Sequence, residues 1–432
     1  MYLGKQNKRK VIMKKSLFIF SLCATLFVTS CSENQSGGKG NLSEIDVESS
    51  FKHPQELSLF DLGKEFTYIP LETIDESLIK LNSTSNLAVT DDYIFIADSG
   101  SPILCFERKT GKYLFKVGNI GQGPQEYTNG TSFTVDPIGK RIYVLLKSNR
   151  FQCYNYEGKF LETIDCADQI QSMADAFFFV DDKIYHHANI PNEKTTAMTY
   201  CYDLKTGQPL DSLLMDENDK PSGPSKMVVP VMGTEIFGGR SFLIQYEDAY
   251  TYGRRLNSAF WITDGELYMK DAFCDTIFHV NHLKQQTPAY AFRLGEYGGY
   301  GRFESSDDMK GKYLIPNLMD GKNCLYFTLY KGLYDFIDLM KSGKPSTEKP
   351  SCGVYNKQTG ELKIQQNSVA FKHPLEGMPE VHVFNVSTDG AFVVALQADE
   401  LATAREEMPE EKQPEWLKQL KEDDNPVILL VQ

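Results

Sequence analysis

No two cysteines in this chain stand in a CxxC pair, and neither an HExxH nor a GxSxG pattern occurs. The first absence leaves zinc ribbons and thioredoxin-like redox chemistry without support. The other two remove the metalloprotease and serine-hydrolase readings that are easiest to make from sequence. Positive charge is also scarce, with 45 Lys and Arg against 58 Asp and Glu and a formal net charge of −13. A chain without a basic surplus has little means of displacing counterions, so neither nucleic acid nor a bare anionic lipid surface is an expected partner. After Val28 no apolar run approaches the ~18 residues that a membrane-spanning helix needs.

What the chain does contain is a turn that returns about once every fifty residues, a period typical of repeat architectures. Phe106–Leu114 (FERKTGKYL), Tyr154–Leu161 (YNYEGKFL), Tyr202–Leu210 (YDLKTGQPL) and Tyr355–Leu362 (YNKQTGEL) each set a Gly between two strand-like runs. An aromatic or β-branched segment leads in, the Gly allows φ > 0, and an apolar residue starts the next strand. One four-stranded sheet per repeat follows, and such sheets arranged about an axis bury one another's faces as a β-propeller. Six units are expected: about Leu87–Val117, Phe133–Ile164, Phe177–Leu214, Ser241–Leu294, Tyr313–Ile364 and Val383–Val431. The fourth is long and irregular, with Ser241–Glu247, Phe260–Lys270, Thr276–Val280 and Ala289–Leu294 as its strands. Phe66–Leu71 is an isolated strand suited to closing the ring on the last blade. Ala398–Asp423, rich in Glu, Lys, Gln and Ala, reads as a small helical insertion docking through Trp416, Leu417 and Leu420. The repeat of Phe115–Gly118 as Phe292–Gly295 falls three units further along and supports the count of six.

The N-terminus has the form of an export signal. Residues 1–30 hold six basic side chains, no acidic one, and the apolar stretch Leu17–Val28. Met13 is a plausible start. Val28-Thr29-Ser30-Cys31 resembles the lipobox of bacterial lipoproteins, which implies lipid on Cys31 as the membrane anchor. Ser32–Ser43, rich in Ser, Gly and Asn, suits a flexible tether. The expected domains are therefore 1–30 signal peptide, 31–60 lipidated tether and 61–432 six-bladed propeller. Loss of residues 1–30 removes six positive charges and takes the formal charge from −13 to −19. Of nine cysteines, Cys23 leaves with the signal and Cys31 carries lipid. The other seven sit singly in apolar surroundings and read as small buried hydrophobes, with one or two disulfides as the alternative.

IPLET (Ile69–Thr73), IGQGPQEY (Ile120–Tyr127), CDTIFHV (Cys274–Val280) and DDNPVILL (Asp423–Leu430) together resemble the six-bladed β-propeller lipoproteins of Bacteroides-type gut anaerobes. Ile96–Phe106 (IADSGSPILCF) is similar to NHL-repeat propellers. The resemblance covers nearly the whole mature chain. It implies a fold, export and an outer-membrane lipoprotein facing the periplasm or the cell surface, and it carries over no catalytic residue.

Four residues are candidates for ligand contact. Glu126 and Tyr127 end the Gly118–Gly121–Gly123–Pro124 crossing, which lacks the Lys and the helix of a phosphate loop. Arg254 and Arg255, beside Tyr250 and Tyr252, form the basic and aromatic cluster of an acidic protein, suited to a sugar, a carboxylate or a protein partner. His186–His187 and His279–His282 diverge along a strand and make poor metal clamps. The expected function is a monomeric, lipid-anchored binding or scaffolding module for a glycan, peptide or envelope protein, with no cofactor and no catalytic residue assigned. The alternative is a lactonase- or lyase-like enzyme with calcium in the central channel, drawing on aspartates such as Asp98, Asp136 and Asp264.

Overall fold

The computed structural model describes residues 42–82, 84–147, 149–166, 176–189, 191, 197–215, 220–221, 223–231, 240–255, 258–343 and 349–432. The segment read as a signal peptide, Cys31 and the first part of the expected tether lie outside the described residues. The described residues belong to one compact unit, all-β apart from a few short helices.

Seven sheets are present among the described residues, numbered here in chain order. Sheet 1 runs Asn86–Val89, Tyr93–Ala97, Ile103–Glu107, Tyr113–Val117. Sheet 2 runs Phe133–Asp136, Arg141–Lys147, Arg150–Asn155, Phe160–Asp165. Sheet 3 runs Ala176–Val180, Lys183–His187, Ala197–Asp203, Pro209–Leu214. Sheet 4 has three strands, Met227–Val231, Arg240–Gln245 and Tyr250–Arg255. Sheet 5 runs Phe260–Thr263, Glu266–Met269, Thr276–His282, Gln285–Arg293 and gains Ser43–Asp46 as a fifth, parallel strand. Sheet 6 runs Tyr313–Asp320, Cys324–Lys331, Ser351–Asn356, Leu362–Gln365. Sheet 7 runs Val383–Val386, Phe392–Leu396, Val427–Val431, and its fourth position is taken by Phe66–Pro70.

The strand assignment corrects the expected six units in one place. Asp264 and Gly265, with φ of 53° and 76°, form a two-residue hairpin inside the stretch read as a single strand, Phe260–Lys270. That turn splits the segment in two, so sheet 5 is complete without Ser241–Glu247. The displaced strand pairs instead with Met227–Val231 and Tyr250–Arg255. Packing also begins earlier than expected: Ile45, Val47, Leu57 and Leu59 are fully buried, so residues 43–60, read as part of a tether, belong to the folded body.

Alternation along the second and third strands explains how each sheet buries both faces. In Tyr93–Ala97, Ile94 and Ile96 pack against sheet 7, while Phe95 and Ala97 pack against sheet 2. In Val427–Val431, Val427, Leu429 and Val431 face sheet 6, and Ile428 and Leu430 face sheet 1. Further apolar cores join sheets 2 and 3, 3 and 5, and 5 and 6. Sheet 4 packs on Leu314, Tyr330 and Tyr334 beside sheet 6. The expected helical insertion is present as Ala398–Glu407 and Glu415–Gln419. It docks through Leu401, Leu417 and Leu420, with Trp416 stacked on Tyr68.

The recurring Gly adopts φ of 73°, 77°, 66° and 72° at residues 111, 158, 207 and 360, always in the hairpin between third and fourth strands. At Gly111 and Gly207 the backbone also lies against the outer strand of the preceding sheet. A Cβ there would overlap the carbonyl oxygens of Pro70 and Asp165 respectively. All seven cysteines among the described residues are free thiols, six of them buried. No helix of the described residues is long and apolar enough to cross a membrane.

Candidate binding site

Where sheets 3, 4, 5 and 6 approach one another, a cavity of about 50 Å³ is walled by Tyr252, Arg254, Trp261, Lys270, Asp271, Arg302 and Asn317, with Asn189 and Ser258 beside them. Tyr252 and Arg254 come from the last strand of sheet 4. Trp261 lies on the first strand of sheet 5, Lys270 and Asp271 directly follow its second, and Asn317 sits in the first strand of sheet 6. Arg302 arrives on the connection between sheets 5 and 6. This connection resembles the Gly118–Tyr127 crossing between sheets 1 and 2. Gly118 and Gly295 both have φ in the left-handed range, and a Cβ on Gly301 would overlap Glu304 as one on Gly121 would overlap Glu126. Arg302 stands in a Gly-Arg-Phe-Glu run where the earlier crossing has Gly-Pro-Gln-Glu.

The site is held by charge. Asp271 Oδ2 accepts from Arg302 Nη2 at 2.5 Å and contacts His187 Nε2 at 2.8 Å. Burial alone raises this carboxyl's pKa, but Arg302 and His187 outweigh it and keep the group far below the usual range. His187 Nδ1 meets Thr199 Oγ1 at 2.9 Å. The Thr–His–Asp order has the outline of a nucleophile triad. Thr199 is fully buried, however, and no substrate can reach it, so its role is to orient His187. Arg302 also donates to the Asn189 carbonyl at 3.3 Å and stacks over Phe273 at 4.4 Å. Lys270 Nζ donates to the carbonyls of Ile315 at 2.7 Å and Asp271 at 3.0 Å, and burial pushes its pKa down. Arg254 donates through Nη1 to Asn317 Oδ1, whose amide in turn donates to Thr328 Oγ1 at 2.9 Å. Burial lowers the Arg254 pKa as well.

Of the residues singled out from sequence, Arg254 lines the cavity. Arg255 is in the same strand, opposite Arg240. Tyr250 stacks on Tyr334, and the Tyr252 hydroxyl pairs with Ser241 Oγ at 2.7 Å. Glu126 and Tyr127 are elsewhere, on the sheet 1 to sheet 2 crossing. Tyr127 is fully buried, accepting from Ile103 N–H and donating to the Val117 carbonyl, while Glu126 Oε2 accepts from Gly123 N–H at 2.8 Å. Both serve the crossing itself. His186 stacks between Phe177 and Tyr200, and His279 contacts Glu266 at 2.6 Å. Asp136 accepts from the Ile138 and Gly139 N–H groups, and Asp264 forms the hairpin already described. No three His, Cys, Asp or Glu among the described residues gather into a metal set. Sequence reasoning missed Lys270, Asp271 and Arg302. The one available signal was the second crossing, where an Arg replaces Pro.

A second cavity, of about 190 Å³, is walled by the first strands of sheets 1, 2 and 3 with Phe133, Tyr143, Phe151, Phe177 and Phe179. Ser258 lines both cavities.

Meandering four-stranded sheets that share apolar faces with their neighbours define an all-β, propeller-like fold. The family model described as a domain of unknown function, DUF4934, matches residues 42–432, and the chain belongs to that family. Among solved structures it is similar to an exported protein of Bacteroides fragilis, at 16% identity over 90% of this chain and 99% of that one, with a TM-score of 0.60. A DUF4221 family member from Bacteroides vulgatus is 12% identical, over 85% of this chain and 96% of that one, with a TM-score of 0.44. The WD40 β-propeller domain of Doa1 is 10% identical, over 85% and 98%, with a TM-score of 0.35. No curated protein matches the chain.

Proposed function

We propose that this protein is a cell-envelope binding or scaffolding module, a six-bladed propeller anchored through lipid on Cys31, that engages a glycan, peptide or envelope protein. In this reading sheets 1, 2, 3, 5, 6 and 7 are the blades, and Phe66–Pro70 closes the ring. The six apolar cores that link these sheets in succession, the last returning to the first, support that count. Sheet 4 is then an insertion covering one end of the blades. Likeness to an exported Bacteroides protein supports the envelope location.

The observation that carries the binding role is the cavity itself, where cationic side chains from sheet 4, sheet 5 and a connection surround a space. Rigid strands hold these groups in place, and preorganised polar groups around a cavity are what a binding site requires. Arg254 remains the sequence candidate inside it.

The test has two parts. Cells expressing the wild-type chain and Cys31→Ala are fractionated and labelled with a fatty acid. Label on the membrane-bound wild type and its loss from a released variant support the anchor, while an unlabelled wild type overturns it. Glycan and peptide arrays then probe the purified protein, and reproducible hits on one class support a binding module. Stoichiometric calcium or zinc in the purified protein, together with turnover of lactones or uronides, would move the function to the metal-dependent enzyme.

A further inference from the structure

We infer that the cavity between Arg254, Lys270 and Arg302 receives the carboxylate of an acidic ligand, whose remaining atoms pass Ser258 toward the aromatic-walled cavity. This rests on the reading of the protein as a binding module and gives that module a ligand class. Three of the four charged side chains lining the cavity are cations, and the fourth, Asp271, is engaged by Arg302 and His187. The lining thus has the opposite sign to a chain whose net charge is −13. Arg254 and Lys270 are only 4% and 8% exposed, so water screens little of their attraction for an anion that enters the cavity.

Size selects the anion. At ~10–15 Å³ of such space per water, a cavity of about 50 Å³ has room for roughly three to five waters. That accommodates a carboxylate group and excludes a sugar ring or a side chain of any bulk. The rest of the ligand must lie outside, and Ser258 is shared with the roomier cavity faced by Phe133 and Phe177. A monoanion is favoured over a phosphate because Asp271 already occupies one wall. Arg254 and Arg302 place two guanidinium groups, the cations whose planar shape best suits a carboxylate, in the wall.

The chain has two tryptophans, which makes a direct measurement possible. Trp261 lines the cavity, and Trp416 lies on the helical insertion against Tyr68. In full-length Trp416→Phe, held in mild detergent, Trp261 fluorescence is titrated with glucuronate, N-acetylglycine, glucose and inorganic phosphate. A saturable change with either carboxylate, at least about tenfold tighter than with glucose and weakened by salt, is expected. The stronger of the two carboxylates tells a uronic acid from a peptide terminus. Glucose binding as well as glucuronate, phosphate binding more tightly than both acids, or no response to any carboxylate overturns the inference. Calorimetry on Arg302→Gln and Asp271→Asn adds a sign test, with affinity expected to fall about tenfold in the first and to rise in the second, since a charge-assisted pair is removed and a repulsion relieved. Failure here leaves the array and fractionation results standing, so the two readings fail separately.

Discussion

Asn425 uses both ends of its amide on the segment that follows Phe66–Pro70, the outer strand of sheet 7. Its Oδ1 accepts from Ile79 N–H at 2.9 Å, and its Nδ2 donates to the carbonyls of Glu72 and Ser77, each at 2.8 Å. The side chain is 1% exposed, so no water substitutes for a lost partner. Asn425→Ala is expected to cost about 2–4 kcal/mol, because it leaves buried backbone groups unsatisfied as well as removing the bonds. Urea denaturation checks this, and a change within experimental error would contradict it. His373 offers a pH test. Burial lowers its pKa from 6.5 to about 4, and its Nδ1 accepts from Leu375 N–H while the ring contacts the Tyr68 hydroxyl. The unfolded chain therefore binds the extra proton between pH 6.5 and about 4, and stability present above that window is lost as pH falls through it. Thermal melts across these pH values are expected to decline less steeply for His373→Gln, and an unchanged slope would refute the assignment. Neither residue was marked by sequence reasoning. An Asn in a DDNP run and a lone His look like loop residues until the chain brings their partners close.

At the scale of elements, the repeated hairpin was the strongest sequence signal, and its glycines serve two purposes that only contacts separate. Gly207 needs positive φ and also lies against the Asp165 carbonyl, whereas Gly360 needs the φ alone, since a Cβ there would meet only the Tyr355 hydroxyl at 3.9 Å. Alanine at 360 is expected to cost about 1 kcal/mol and at 207 roughly 3 kcal/mol or more, the difference arising from displaced neighbouring backbone. Equal losses in chemical denaturation would show that the close approach is relaxed at little cost. Besides the early packing of Ser43–Phe60, the element misjudged from sequence was the fourth unit. Phe260–Lys270 has strand-like composition throughout, and its central Thr-Asp-Gly-Glu was passed over although Asp-Gly is a strong two-residue hairpin signal. Reading that turn would have freed Ser241–Glu247 for another sheet.

At the scale of the molecule, the N-terminal segment belts three sheets in succession. Ser43–Asp46 extends sheet 5, Leu57 and Leu59 enter the core between sheets 6 and 7, and Phe66–Pro70 completes sheet 7. A chain beginning at Lys64 loses the first two contacts and keeps the third, so a lowered melting temperature with a single cooperative transition is expected. A chain beginning at Glu72 also strips Val427–Val431 of its outer partner and Gly111 of its Pro70 contact, and it is expected to lose cooperative melting. Calorimetry of the two truncations decides this. Identical transitions would mean that Phe66–Pro70 does not close the ring.

Sequence by itself determined the all-β class, the recurring hairpins, the helical insertion and the strand reserved for the end of the chain, because these follow from local period, turn chemistry and composition. Sequence pointed to Arg254, and tertiary structure decided the rest of the site. Arg254, Lys270, Asp271 and Arg302 come from distant stretches, and their chemistry arises from shared burial and mutual charge, which no local pattern encodes.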